Sequence, residues 1–353
     1  MTHSAHAHLW PGVPLALGSA ILFGASTPLS KLLLGALDPQ MLAGALYLGA
    51  GLGLAAVRLG RTATGVPSNE APLRRSDLPW LGAVVVFGGL LGPLLLMLGL
   101  TRTQASSASL LLNLESLFTM AIAWLAFKEN VDRRLLLGAF AILAGAALLS
   151  SNGKGVALDR GAALIAAACL CWGLDNNLTR KLSASDPAQI AMIKGLVAGA
   201  ANIALVLWFG AALPSRGSFG AAAAVGFFGV GVSLVCFVLA LRHLGTARAS
   251  AYFSLAPFIG AVLAIALLHE PLTARLGLAG LLMGLGLWLH LTERHEHEHM
   301  HDELEHEHAH THDAHHQHEH DGPVSEPHSH KHRHAPLRHT HPHYPDAHHR
   351  HDH

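Results

Sequence analysis

Three ionisable side chains stand inside otherwise apolar runs, where they could do chemistry. Glu115 lies in LLLNLESLF, Asp175 precedes two asparagines, and Lys194 lies about two turns into a later run. A charge inside a bilayer is costly unless it is paired or hydrated. A buried carboxylate can relay a proton or contact a cation, whereas these groups could also simply pair to assemble helices. The candidate substrate or coupling residues are Glu115, Asn113, Asp175, Asn176, Asn177 and Lys194.

A second set of chemical groups lies in the last 61 residues, where 23 of the 29 histidines occur among carboxylates. Imidazole is a favoured ligand of Zn, Ni and Co, and a His-rich tract can hold metal without a preformed cage. With almost no apolar residues, residues 293–353 are predicted to be disordered without metal. The tail could instead respond to pH, because histidine titrates near neutrality. The candidate metal ligands are His295, His297, His299, His301, His306, His308, His310, His312, His315, His316, His318 and His320.

The elements that must position the first set are long apolar runs. The chain is 51% hydrophobic and 13% charged, with a mean hydropathy of +0.37, whereas soluble domains carry roughly 25% charged residues. Runs of about 20 residues suffice to cross a hydrocarbon core. We predict an all-α membrane protein with about ten transmembrane helices: 13–34, 39–57, 79–100, 105–127, 133–150, 160–180, 188–209, 219–241, 246–268 and 273–292.

The charges of the loops predict the orientation of these helices. Residues 1–292 carry 18 Lys/Arg against 10 Asp/Glu, and the tail carries 5 against 13. With the N-terminus inside, eleven basic residues fall in cytoplasmic connections and six in the opposite ones. The positive-inside rule therefore predicts a multi-pass protein of the inner or plasma membrane with both termini cytoplasmic. No cleavable signal peptide is expected, since the N-terminus lacks a basic n-region.

The sequence repeats itself. FGASTPLSK from Phe23 matches WGLDNNLTRK from Trp172, and LGLTRTQASSASLLLNLES from Leu98 matches LALRHLGTARASAYFSLAP at an offset of 141. Glu129 and Glu270 correspond at the same offset and are expected to hold turns between helices. Each unit contains five spans, and an odd number forces the second unit to enter from the opposite side. We therefore divide the chain into 1–12, a short N-terminus with three histidines; 13–150 and 160–292, two inverted five-helix repeats; and 293–353, the tail.

The opening F/W-G-x-x-x-x-x-[ST]-[KR] of each half and the acidic motifs FKEN and LHEP carry a resemblance. Over residues 13–292 the chain resembles the EamA-type family of the drug/metabolite transporter superfamily. That resemblance implies a ten-helix protein that exports or exchanges small metabolites. The tail is not part of the family pattern.

The expected function is secondary transport of a small metabolite by alternating access, with no enzymatic activity and no required cofactor. Glu115 or Asp175 would couple movement to protons. The alternatives are efflux of a divalent metal (Zn, Ni or Co) collected by the tail, and a non-transporting metal sensor. Expected partners are the lipid bilayer, a small-molecule substrate and, in the alternative, divalent metal ions, but no nucleic acid. ATP-driven transport is disfavoured because no G-x-x-x-x-G-K-[ST] loop is present.

Overall fold

The computed structural model describes residues 11–65, 73–127, 133–150, 159–182, 185–244, 246–292, 295–301, 304–310, 328–334 and 337–343. Ten long helical segments make up the body of the protein. They are α1 (Gly12–Leu33), α2 (Pro39–Ala63), α3 (Arg75–Leu100), α4 (Ala105–Ala126), α5 (Arg133–Ser150), α6 (Arg160–Thr179), α7 (Pro187–Trp208), α8 (Arg216–Leu241), α9 (Arg248–Leu268) and α10 (Ala274–Leu291).

Within the described residues, nine of these segments are both long and apolar enough to cross a membrane. The exception is α6, which has 20 residues but carries Asp175, Asn176 and Asn177 near its end. Burial explains this composition, because α6 packs against α3 and α4. Polar residues are tolerated at membrane depth when they face the interior of a bundle.

Helices α2 and α7 begin in the same way. Asp38 Oδ1 accepts hydrogen bonds from the backbone N–H of Gln40 and Met41, and Pro39 follows as the first helical residue. Asp186 Oδ1 caps α7 in the same manner, again with proline next. An aspartate cap followed by proline is a strong helix start, because the side chain replaces a missing backbone acceptor.

Two kinds of helix irregularity occur once in each half. A π-helical stretch, Val85–Leu91, interrupts α3, and another, Phe227–Val232, interrupts α8. Helix α4 breaks after Leu111 and resumes at Leu114, and α9 breaks between Phe253 and Ala256. Both pairs agree within about one residue with the sequence offset of 141. The repeat therefore extends to backbone conformations that are rare in ordinary helices.

The two halves interlock through glycines. A Cβ at Gly51 of α2 would lie 2.5 Å from the backbone nitrogen of Leu196, and one at Gly199 of α7 would lie 2.4 Å from that of Leu48. These distances are too short for any side chain, so the backbones of α2 and α7 touch where they cross. Small residues permit such close helix contacts in membranes. Helices α5 and α10 pack together in the same way, through Gly138 and Gly286.

The described parts of the tail form four strands. They do not test whether residues 293–353 are disordered without metal, and that disorder stays a prediction. Strand β1 (His295–His301) pairs antiparallel with β4 (Leu337–His343), and β2 (Leu304–His310) pairs antiparallel with β3 (His328–His334). The sequence of these segments alternates histidine with other residues, and a period of two suits an extended backbone. The side chains of the tail histidines lie outside the described residues.

Candidate functional site

A cavity of about 270 Å³ lies at the interface of the two halves. Its walls come from helices α1–α4 of the first half and α6–α9 of the second, whereas α5 and α10 contribute no lining residue. Most of the lining is apolar. The polar or charged lining side chains are Ser26, Thr27, Ser30, Tyr47, Glu115, Trp172, Asp175, Asn176, Lys194 and Ser233.

Asp175 and Lys194, both predicted as site residues, form an ion pair in this cavity. Lys194 Nζ lies 2.7 Å from Asp175 Oδ2, and the two side chains are 21% and 6% exposed. Lys194 thus pairs with Asp175 and not with Glu115. A charge pair of this kind needs close geometry to offset the loss of hydration.

Glycines of α3 make room for the pair. A Cβ at Gly88 would lie 2.1 Å from the carboxyl carbon of Asp175, and one at Gly89 would lie 3.0 Å from Cγ of Lys194. Any larger residue at position 88 would therefore compete with the carboxylate for the same space.

The π-helical stretch of α3 supplies an acceptor to the cavity wall. The carbonyl oxygen of Gly88 accepts hydrogen bonds from Tyr47 Oη, at 2.8 Å, and from Trp172 Nε1, at 3.1 Å. A π-turn displaces carbonyls from the regular helical ladder, so this one is available to side chains. We did not predict Tyr47 or Trp172 as site residues. The sequence does distinguish Trp172, because it is the first residue of the repeat motif in the second half, as Phe23 is in the first half.

Glu115 is the carboxylate of the cavity that forms no ion pair within 4.0 Å among the described residues. Its Oε1 accepts a hydrogen bond of 3.0 Å from Nδ2 of Asn176, which also contacts Thr119 Oγ1 at 3.1 Å. The described chain contains ion pairs between Lys194 and Asp175 and between Arg58 and Asp186, and neither includes Glu115. Glu115 stands in the first turn after the break in α4, where the positive end of a helix favours a negative charge.

Two of the predicted residues do not line the cavity. Asn113 is 4% exposed, and its Nδ2 donates to the carbonyl of Leu110 at 2.8 Å. Asn177 is 6% exposed and donates to the carbonyls of Gly173 and Thr119. Asn113 therefore bonds within its own helix α4, whereas Asn177 bonds both within α6 and to α4, and neither amide points into the cavity.

Two further charged residues, Lys31 near the end of α1 and Glu270, which we expected to hold a turn, bind backbone groups and do not line the cavity. Lys31 donates to the carbonyls of Leu100 and Thr103 at the end of α3. The carboxylate of Glu270 accepts the N–H groups of Ala105 at 2.7 Å and Ser106 at 2.8 Å, which caps α4 from the loop after α9. Its repeat partner Glu129 lies outside the described residues.

Among the side chains that the structure describes, no three His, Cys, Asp or Glu residues lie together as a possible metal site. The side chains of all twelve predicted histidine ligands of the tail lie outside the described part of the chain. Their binding of metal stays a prediction.

An apolar helical body, two interlocked halves and a charged cavity between them define a multi-pass membrane transporter of small molecules. Comparison with known proteins agrees. The sequence profile of the EamA-like transporter family matches residues 10–151 and 159–292, once for each half. The chain belongs to the EamA-like transporter family, which confirms the resemblance seen in its motifs.

Two relatives carry transporter names without a named substrate. An uncharacterized transporter of Methanothermobacter thermautotrophicus is 30% identical over 296 residues, which cover 80% of this chain and 86% of the relative. The uncharacterized transporter YyaM of Bacillus subtilis is 24% identical over 265 residues, covering 71% and 84%. A solved crystal structure, 19% identical, superposes with a TM-score of 0.58 and covers 79% of this chain and 95% of its own. That likeness supports the fold alone.

Proposed function

We propose that this protein is a secondary active transporter whose two inverted halves alternate access to the central cavity and whose coupling proton is carried by Glu115. The observation that carries the proposal is the position of Glu115. It faces a cavity between the halves, its side chain accepts a hydrogen bond from the amide of Asn176, and within the described chain no ion pair shorter than 4.0 Å joins it to a basic residue. A carboxylate without a counter-ion in such a place is favourable when it holds a proton or a bound cation.

Asp175 has a different role in this proposal. Lys194 Nζ lies 2.7 Å from Asp175 Oδ2, and a proton placed on Asp175 would break this ion pair, so Asp175 is less suited to carry the coupling proton. The pair instead joins α6 to α7 at the cavity wall and orients Trp172 and Tyr47 through the shared packing against α3. We therefore assign coupling to Glu115 and positioning to Asp175 and Lys194.

The test uses purified full-length protein reconstituted in proteoliposomes that contain a pH-sensitive dye. Glu115→Gln keeps the size and hydrogen-bonding capacity of the side chain but cannot release a proton. We expect it to abolish proton movement coupled to solute while the protein still inserts and unfolds cooperatively. Solute-dependent proton flux that equals the wild-type rate in Glu115→Gln would overturn the assignment.

Asp159→Asn is the matched control. Asp159 accepts a hydrogen bond from Ala162 N–H at the start of α6 and does not line the cavity. Like Glu115→Gln, this substitution replaces a carboxylate by a carboxamide. We expect its flux to match wild type, since asparagine also caps helices.

Efflux of a divalent metal remains the alternative based on the tail. The cavity itself offers such an ion one unpaired carboxylate, because Asp175 is held by Lys194. Divalent cations prefer several oxygen or nitrogen ligands at short distance. The described cavity therefore supports transport of an organic solute more directly than transport of a metal.

A further inference from the structure

The charges that line the cavity do not cancel. Three residues that carry a carboxyl or an amino group face it: Glu115, Asp175 and Lys194. Asp175 and Lys194 neutralise each other across 2.7 Å. The ionised cavity is therefore left with one negative charge, on Glu115, and a solute that stays in it must compensate that charge.

Part of the cavity wall is aromatic. Phe253 of α9 packs in a tilted arrangement against Phe23 of α1, with ring centroids 5.3 Å apart, and against Phe237 of α8, with centroids 4.8 Å apart. All three rings line the cavity, as does Trp172. Aromatic faces attract cations and bury apolar surface at the same time.

We propose that the transported solute is an amphipathic monovalent organic cation, an amine or quaternary ammonium with an aromatic or aliphatic body, and that it competes with one proton for Glu115. The inference rests on the transport function proposed above. The ammonium group would sit at the Glu115 carboxylate and the apolar body against the Phe23, Phe237 and Phe253 rings. A solute anion would meet an unpaired carboxylate and no unpaired cation among the lining residues.

The competition fixes the charge balance of the cycle. With its proton, Glu115 is neutral; without it, the carboxylate and a bound monocation are together neutral. The proton leaves Glu115 for water on the side from which the cation enters, and a proton from the other side replaces the cation after release. One positive charge crosses in each direction, so the exchange is electroneutral.

The other titratable groups near Glu115 must keep their protonation states for this charge balance to hold. They are Asp175 and Cys169 of α6, Lys194 of α7 and Tyr47 of α2. Asp175 and Lys194 are tied to each other, Tyr47 donates its hydroxyl hydrogen to Gly88, and Cys169 lies near the carbonyl of Leu111. None of these contacts requires a proton change when a cation replaces the proton on Glu115.

The test measures binding and proton release, and it does not depend on transport. Purified full-length protein in detergent is titrated with three cations, phenyltrimethylammonium, benzylammonium and tetraphenylphosphonium, and with benzenesulfonate and benzyl alcohol as anionic and neutral matches. We expect at least one cation to bind at least about tenfold more tightly than either match. In weakly buffered solution below the midpoint of Glu115 titration, each bound cation should release about one proton.

Variants sharpen the test. Glu115→Gln should lose the proton release and weaken cation binding by at least about tenfold, whereas Asp159→Asn should leave both unchanged. Binding of the anion as tight as that of every cation, or unchanged binding by Glu115→Gln, would overturn the inference.

The two proposals fail separately. Cation binding with proton release but no flux in proteoliposomes would refute transport and keep the cation site. Flux of a neutral or anionic solute with no cation binding would keep transport and refute the cation. If cation exchange does occur, it should follow a pH gradient and be unaffected by a potassium diffusion potential, and a response to that potential would contradict the electroneutral balance.

Discussion

At position 88 the absence of a side chain decides whether the ion pair of the cavity can form. Asp175 occupies the space that a Cβ at Gly88 would fill, and the carbonyl of the same glycine accepts hydrogen bonds from Tyr47 and Trp172. One residue therefore connects the charged pair and the aromatic side chains of α2 and α6. Substitution there should affect both.

Gly88→Ala should displace Asp175 from Lys194 and cost about 1–3 kcal/mol of stability, as forced packing does elsewhere. Thermal unfolding in detergent and solute flux in proteoliposomes measure the two effects, and both should fall. Gly82→Ala is the control, because it lies on the same helix and no atom lies within 4 Å of its added Cβ. Equal behaviour of the two variants would mean that the space at Gly88 is not needed.

The charged residues that line the cavity could be singled out from the sequence, but their pairing could not be predicted. An ionisable residue within an apolar run stands out in a printed sequence, which is how Glu115, Asp175 and Lys194 were found. Which partner each takes depends on the relative rotation of helices that are far apart in the chain. The same is true of Asn113 and Asn177, whose amides bind backbone carbonyls outside the cavity.

At the level of helices, the crossing of α2 and α7 joins the two halves at their closest approach. Gly51 and Gly199 meet the backbone of the opposite helix, and Tyr47 and Lys194 lie within about one turn of the crossing and line the cavity. A rigid crossing next to the solute site is suited to serve as the pivot of an alternating-access movement.

Gly199→Leu should separate α2 from α7 and destabilise the protein by at least about 1–3 kcal/mol, because the added side chain has no space beside Leu48. Gly60→Leu on α2 is the matched control, since the space around its Cβ is open. Chemical denaturation in detergent compares the two. A Gly199→Leu protein as stable as Gly60→Leu would show that the crossing is loosely packed.

The helix irregularities show that a sequence repeat predicts which residues correspond but does not predict their backbone conformation. The offset of 141 predicted that residues of α3 and α4 correspond to residues of α8 and α9. It did not predict that π-helical stretches and helix breaks would occur at those places. These features depend on backbone hydrogen bonding under tertiary packing, which the composition of a run of Gly, Val and Leu does not reveal.

For the whole molecule, the tail and the orientation of the bundle can be tested together. If both termini are cytoplasmic, as the distribution of Lys and Arg predicts, the tail is exposed on the cytoplasmic side. Inside-out membrane vesicles should then bind added Ni²⁺ well above the level of right-side-out vesicles.

Deletion of residues 293–353 should remove this Ni²⁺ binding and leave cation exchange unchanged. Stronger binding by right-side-out vesicles would reverse the predicted orientation, and loss of exchange on deletion would assign the tail a part in transport.

The repeat places Ala256 at the position equivalent to Glu115. Ala256 packs against Gly24 and carries no charge, so the only unpaired carboxylate of the described cavity belongs to one half. A carrier with two identical halves, related by a two-fold axis, would present equivalent sites to the two sides of the membrane. In the alternating-access cycle proposed above, the two facing states would surround the same carboxylate with different helices, so the affinities for solute at the two faces have no reason to be equal. At equal and opposite gradients, transport would then be faster in one direction than in the other.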